Sequence, residues 1–180
     1  MKKIRIGIIG NGGIAKAVHL PAYQKMDEVE IVATCDILPY RMDEVEKILG
    51  HSIKKYQDYK DLIADPNIDA IDICTPNYLH SIIAIQALKA NKHVFCEKPD
   101  AISVQEVEEM KKTAEQTHKV LMVMRNNRHL ATSKYLKKYI EDGKMGEIYC
   151  GRCGWQRRRG IPGKGGWFTT KAQSGGGPLI

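Results

Sequence analysis

Long apolar runs are missing from this 180-residue chain, and none approaches the roughly 20 residues a membrane helix needs. A secretory leader is missing too: Met1-Lys2-Lys3 leads into only a short apolar stretch before glycines interrupt it. Both absences point to a cytoplasmic protein with no membrane partner. Cysteine is sparse and irregular. The five residues make an odd number without framework spacing, and Cys35, Cys74 and Cys96 each end an apolar run, as small buried residues do. Cys150 and Cys153 form a single C-x-x-C, with no second pair and no nearby histidine pair to complete a zinc site, so no metal is expected. Acidic residues are absent after Gly151, where Arg152, Arg157, Arg158, Arg159, Lys164 and Lys171 add to the net charge of +7. Such a tail could touch nucleic acid, but that module would need aromatic interleaving or a reading helix, and no nucleic-acid partner is expected. It suits a phosphate, a carboxylate, a polyol or plain solvent. An apolar content of 43% is ordinary for a globular protein. The length allows one domain, or one and part of another.

Residues 4–15 are the stretch that organises the rest. The apolar run Ile4–Ile9 ends abruptly at Gly10-Asn11-Gly12-Gly13, and Ile14-Ala15 opens a helix-like segment. A buried strand turning into a helix with the spacing G-x-G-x-x-A at Gly10, Gly12 and Ala15 is a dinucleotide-binding pattern. Gly10 permits the tight turn, Gly12 lets backbone approach a pyrophosphate, and Ala15 lets the helix lie close to the strand. N–H groups of the first turn, from Asn11, Gly12, Gly13 and Ile14, then face phosphate at the positive end of the helix dipole.

Strands and helices alternate from there to Met124. Strands are expected at 4–9, 30–35, 53–56, 70–74, 93–96 and 120–124. The first helix should break near His19-Leu20, because Pro21 removes a hydrogen bond. Pro39 opens a second helix to about Leu49. Asp58 caps a short third, another covers about 78–90, and Ser103 with Glu106 forms a capping box for a helix ending near His118. This rhythm predicts an α/β fold, a doubly wound parallel sheet over residues 1–125. Ligands of such sheets sit beyond the carboxyl ends of the strands. Gly10, Asp36, Thr75–Asn77 and Glu97-Lys98 all fall there. From 126 to 180 the pattern changes to a helix at about 130–142, a long strand at 147–156 and a glycine- and arginine-rich loop. That is the start of an α+β substrate domain, whose tail should be mobile or order only by packing on another copy.

Asp36 stands about 20 residues beyond Ala15, where a carboxylate accepts a hydrogen bond from an adenosine ribose hydroxyl. It would repel a 2′-phosphate by roughly 1–4 kcal/mol at about 4 Å, which favours NAD over NADP. Arg41 is placed to turn toward a phosphate instead. Lys98, between Glu97 and Pro99 at a strand end, is positioned to move a substrate proton as a hydride leaves. Trp155, Trp167 and Phe168 either stack on a sugar ring or, more in keeping with their number, pack a sheet.

Taken together, Gly10–Ala15, His19-Leu20-Pro21-Ala22, Thr75-Pro76-Asn77 with His80, Cys96-Glu97-Lys98-Pro99 and Ser174–Gly177 resemble the Gfo/Idh/MocA family of glucose–fructose oxidoreductase, inositol dehydrogenase and relatives. The resemblance covers the whole chain. It implies a Rossmann cofactor domain and NAD(P)-dependent oxidation of a sugar or cyclitol hydroxyl. It implies that Lys98 is catalytic and that Thr75, Pro76, Asn77, His80 and Glu97 line the dinucleotide pocket. Arg128 falls where relatives carry an arginine near the nicotinamide, whereas Asn127 replaces a second one. Family members follow the glycine segment with an Asp and a His, and this chain reaches Ile180 before either. The 180 residues are therefore expected to bind cofactor without turning over substrate. A full-length chain is expected to be a homo-oligomer. His19 and His118 are expected on helices, satisfied or solvated. Two rivals remain: a non-enzymatic dinucleotide-binding redox sensor, and a reductase of imines or aldehydes, against which Glu97-Lys98-Pro99 counts.

Overall fold

A computed structural model describes residues 2–154, 156, 158 and 165–176. Trp155, Arg157, Arg159, residues 160–164 and Gly177 onward lie outside the described residues, and with them much of the expected arginine–glycine loop. Two compact units are present: residues up to Met124 together with those from Trp167 on, and Arg125–Gly166.

The first unit is built on six parallel strands, β1 (Ile4–Ile9), β2 (Val29–Cys35), β3 (Lys54–Tyr56), β4 (Ala70–Ile73), β5 (His93–Cys96) and β6 (Leu121–Val123), in the order β3-β2-β1-β4-β5-β6. Parallel strands are covered on both faces, so their sequences run apolar without alternation. Ile8, Ile71 and Ile73 are wholly buried, each contributing about 1.5–3 kcal/mol. The strand order reverses between β1 and β4. Their carboxyl ends part there and leave the crevice in which this topology takes ligands.

Local chemistry sets the helix ends. Pro39 begins α2 (Pro39–Leu49), and Gly50, at φ +79°, ends it in the left-handed conformation. The Asp58 carboxylate accepts the Lys60 N–H to cap α3 (Tyr59–Ala64). Ser103 accepts the Glu106 N–H at the start of α5 (Val104–Thr117), while the Glu106 carboxylate reaches back to the Ile102 N–H, one residue beyond the usual box. The expected break before Pro21 takes the form of a π-helical turn. Ala15–His19 is wound wide, the Leu20 N–H donates to the Ala15 carbonyl, and α1 (Leu20–Tyr23) follows. A short 3-10 turn, Asn77–Leu79, precedes α4 (His80–Lys89).

Two expectations are corrected. Residues 147–154 form no strand, because among the described residues no neighbour offers them a ladder, and Tyr149 is 94% exposed. The tail does not wait for a second copy. Trp167–Thr169 forms a 3-10 turn, α7 (Lys171–Ser174) follows, and the buried Asn77 side chain donates to the Ser174 carbonyl at 3.0 Å. In the second unit, α6 (Ala131–Glu141) ends before Gly143 at φ +71° and leaves Leu130, Tyr135, Leu136 and Ile140 exposed. Among the described residues no helix is long and apolar enough to cross a membrane.

Candidate functional site

The turn after β1 lies against the end of β4. Gly10 has φ +91°, and a Cβ there would stand 2.7 Å from the Cys74 carbonyl oxygen and 2.9 Å from the Thr75 nitrogen. Only glycine fits, on both counts. Gly12 and Gly13 differ: a Cβ on either would meet nothing within 4 Å. Nothing in the polypeptide needs glycine there, whereas a group lying against the backbone does. Ala15 is fully buried beside Ile8 and Leu20, which brings the helix start onto the strand. By helix geometry the N–H groups of this first turn have no acceptor within the helix. Across the crevice, Thr75 Oγ1 is buried without a hydrogen-bond partner, an uncommon condition that a ligand hydroxyl or phosphate oxygen relieves. The open face at Gly12–Gly13 and this orphaned hydroxyl fit a dinucleotide.

Asn11 and Asp36 turn inward. The Asn11 N–H donates to Asp36 Oδ2 at 2.8 Å, its amide donates to the Cys35 carbonyl, and its oxygen accepts the Thr34 hydroxyl. Asn11 thus stitches the glycine turn to β2. Asp36 also accepts the Leu38 N–H, and its side chain is 4% exposed. Each of its oxygens still has one lone pair. Arg41 lies on the rim, 3.7 Å from Asp36 and 37% exposed.

His80 is buried, with Nδ1 2.7 Å from the Pro99 carbonyl and Nε2 2.9 Å from the Thr75 carbonyl. It fastens the Thr75-Pro76 segment to the loop after β5. Lys98 is exposed at that loop, and the Lys98–Pro99 peptide is cis. Arg128 belongs to the second unit, exposed in a 3-10 turn over Asn126–His129.

The sequence reading missed a cluster at the centre of the sheet. His19 is 3% exposed, and its ring spans two carboxylates, Nδ1 at 2.8 Å from Asp72 Oδ2 and Nε2 at 3.0 Å from Glu97 Oε1. Carboxylates only accept, so both contacts are full hydrogen bonds when both ring nitrogens carry protons. Burial pushes the imidazole pKa down, but the bonds to Asp72 and Glu97 outweigh it and hold it up at about 9. Burial pushes Glu97 up, and His19 with the Lys98 N–H brings it below its ordinary value. Glu97 Oε2 accepts that N–H at 3.0 Å. Cys74 Sγ lies 3.5 Å from His19 Nδ1, and burial pushes its thiol up, so it stays protonated. His19, Asp72 and Cys74 present donor atoms within 4.8 Å of one another, but both ring nitrogens are spent on carboxylates and none has a lone pair left for an ion. The signal was present in the sequence: Asp72 interrupts an apolar parallel strand, and a charge buried there requires a partner.

The cluster makes stability depend on pH. The His19 pKa is raised from 6.5 to about 9 on folding. Its contribution, roughly 3 kcal/mol, is complete below about pH 6.5 and lost as pH rises through about 9. Urea unfolding at a series of pH values is expected to show that loss. A flat profile from pH 7 to 10 would remove the charged bridge.

Residues 4–125 match the GFO_IDH_MocA profile, an oxidoreductase family with an NAD-binding Rossmann fold. The chain is similar to D-glucoside 3-dehydrogenase of Escherichia coli K12, 34% identical over 98% of this chain and 50% of that protein. Myo-inositol 2-dehydrogenase of Thermotoga maritima is 35% identical over 80% of this chain and 42% of its own length. Among solved structures, the WlbA dehydrogenase of Bordetella pertussis, in complex with NADH and UDP-GlcNAcA, superposes at a TM-score of 0.76, with 35% identity over 82% of this chain and 42% of that one. The chain spans about half the length of the curated relatives it matches. Its topology, its glycine turn and the matched span agree: the chain belongs to the Gfo/Idh/MocA oxidoreductase family and carries its Rossmann domain.

Proposed function

We propose that the chain is the cofactor-binding part of an NAD-dependent sugar or cyclitol dehydrogenase. The observation that carries this reading is the crevice between β1 and β4, open at Gly12 and Gly13 and lined by the unsatisfied Thr75 hydroxyl. The bound dinucleotide supplies a nicotinamide that takes up or gives back a hydride. Gly12, Gly13 and Ile14 hold its pyrophosphate with backbone N–H groups, and Thr75 donates to or accepts from it. Lys98 takes the substrate hydroxyl proton as the carbon-bound hydrogen leaves with its electron pair, so an alcohol becomes a ketone. In reduction, the lysine returns the proton. Arg128 is proposed to approach the nicotinamide, and Arg41 to flank the adenosine ribose.

Asp36 is proposed to accept the ribose 2′-hydroxyl, which favours NAD over NADP. Calorimetry with both nucleotides checks this. NAD is expected to bind about tenfold more tightly or better, and Asp36→Ala should narrow the gap. Equal or tighter NADP binding would remove Asp36 from the role.

Residues 126–180 are proposed to open a larger substrate domain that assembles into a homo-oligomer when complete. The apolar side chains exposed on α6 support a covering layer. With the present residues alone, dinucleotide binding is expected without measurable turnover of inositols or hexoses. Robust NADH production from this chain would overturn that part of the reading. A redox-sensing role without catalysis has the same crevice but no use for Lys98.

A further inference from the structure

We infer that His19 is a positioning residue for Lys98, acting through Glu97 and held in turn by Asp72. The inference rests on the proposed catalytic role of Lys98. Four links make one continuous path from the centre of the sheet to its rim. Asp72 is wholly buried in β4, aligned with Ile8 of β1 and Phe95 of β5. It grips Nδ1 of His19, and the ring grips Glu97 Oε1 through Nε2. The other oxygen of the same carboxylate holds the Lys98 N–H.

A carboxylate beyond a strand end ordinarily turns freely about its χ angles. Here one oxygen is anchored by a buried ring and the other accepts the backbone of the next residue, so the anchor fixes where the Lys98 side chain begins. The ring itself has little room to turn. It lies 5.8 Å from Phe95 and 6.4 Å from Tyr23, centroid to centroid, and sits where the π-helical turn meets α1. The titratable groups facing it are Asp72 and Cys74 from the end of β4, Glu97 from beyond β5 and Tyr23 from α1. Burial pushes both the Cys74 thiol and the Tyr23 hydroxyl up. As pH rises above neutrality, the ring therefore loses its proton before the Cys74 thiol and the Tyr23 hydroxyl do. The sequence places His19 far from Lys98, and only the parallel sheet joins them.

Nitrogen-15 NMR on the unmodified chain gives a readout independent of activity. Both ring nitrogens of His19 are expected to be protonated at pH 7.5, and a neutral tautomer there would overturn the inference. In the full-length protein, His19→Gln, whose two donors share one nitrogen and do not reproduce the span between Nδ1 and Nε2, is expected to lower kcat on the order of 10²-fold. The KM for dinucleotide should stay within about threefold. Glu97→Gln cuts the path one link later, should lower kcat alike, and decides the matter by its kcat if His19→Gln does not fold. A kcat within about threefold of wild type in these variants, or for His19→Gln an equal loss of dinucleotide affinity, would overturn the inference. Lys98→Ala separates the two layers. If it abolishes turnover while the His19 and Glu97 variants are unaffected, only this inference falls; if it leaves turnover intact, the Lys98 role falls and this inference with it.

Discussion

Lys98→Ala in the full-length protein is expected to lower kcat by about 10²–10⁴-fold and to leave dinucleotide affinity within about threefold. The split follows from placement. The Lys98 side chain is exposed beyond β5, whereas the glycine turn proposed to take phosphate follows β1. Its backbone, by contrast, is tethered by Glu97. Removing the amine removes a proton carrier without touching the N–H groups of Gly12–Ile14 or the Thr75 hydroxyl. The decisive comparison is kcat and KM under saturating dinucleotide, with calorimetry as the check on affinity. Turnover within a few-fold of wild type would show that the proton moves by another route.

The second large effect is a contrast between two neighbouring glycines. Gly10→Ala puts a side chain into a left-handed backbone and against the Cys74 carbonyl at 2.7 Å, where the opposing atoms are main chain and give little. Strain and overpacking together cost about 2–5 kcal/mol, which lowers the melting temperature by on the order of 10 °C. Gly12→Ala meets open space and should leave stability within about 1 kcal/mol of wild type. It is nonetheless expected to weaken dinucleotide binding roughly ten- to a hundredfold, the equivalent of one charge-assisted hydrogen bond of about 1.5–3 kcal/mol. Thermal melts paired with NADH fluorescence titrations separate the two. If Gly12→Ala binds NADH as wild type does, the phosphate does not lie against that backbone.

The strands were legible because a doubly covered parallel sheet writes itself as short apolar runs. The helix ends were legible because Pro39, Asp58, Ser103 and Glu106 carry local chemistry that acts within a few residues. Gly10 was legible for the same reason. What escaped was set by distance along the chain. His19 reads as an ordinary helical histidine until β4 and β5 bring Asp72 and Glu97 to its two ring nitrogens. Asn11 reads as cofactor-facing by its place in the turn, and its backbone N–H, amide nitrogen and amide oxygen bond Asp36, Cys35 and Thr34. His80 reads as a pocket residue by motif, and the structure adds that its two ring nitrogens join the loops after β4 and β5. Residues 147–154 have strand-forming composition, but a strand exists only with a neighbour. The tail reads as unanchored because Asn77 and Ser174, which hold it, are far apart in sequence.

The account stands most directly on where a dinucleotide binds. Titration of the 15N-labelled chain with NAD is expected to give saturable amide shifts concentrated at Gly12, Gly13, Ile14 and Thr75, with smaller changes at Asp36. Absence of saturable binding, or shifts that leave Gly12–Ile14 and Thr75 unmoved, would contradict it.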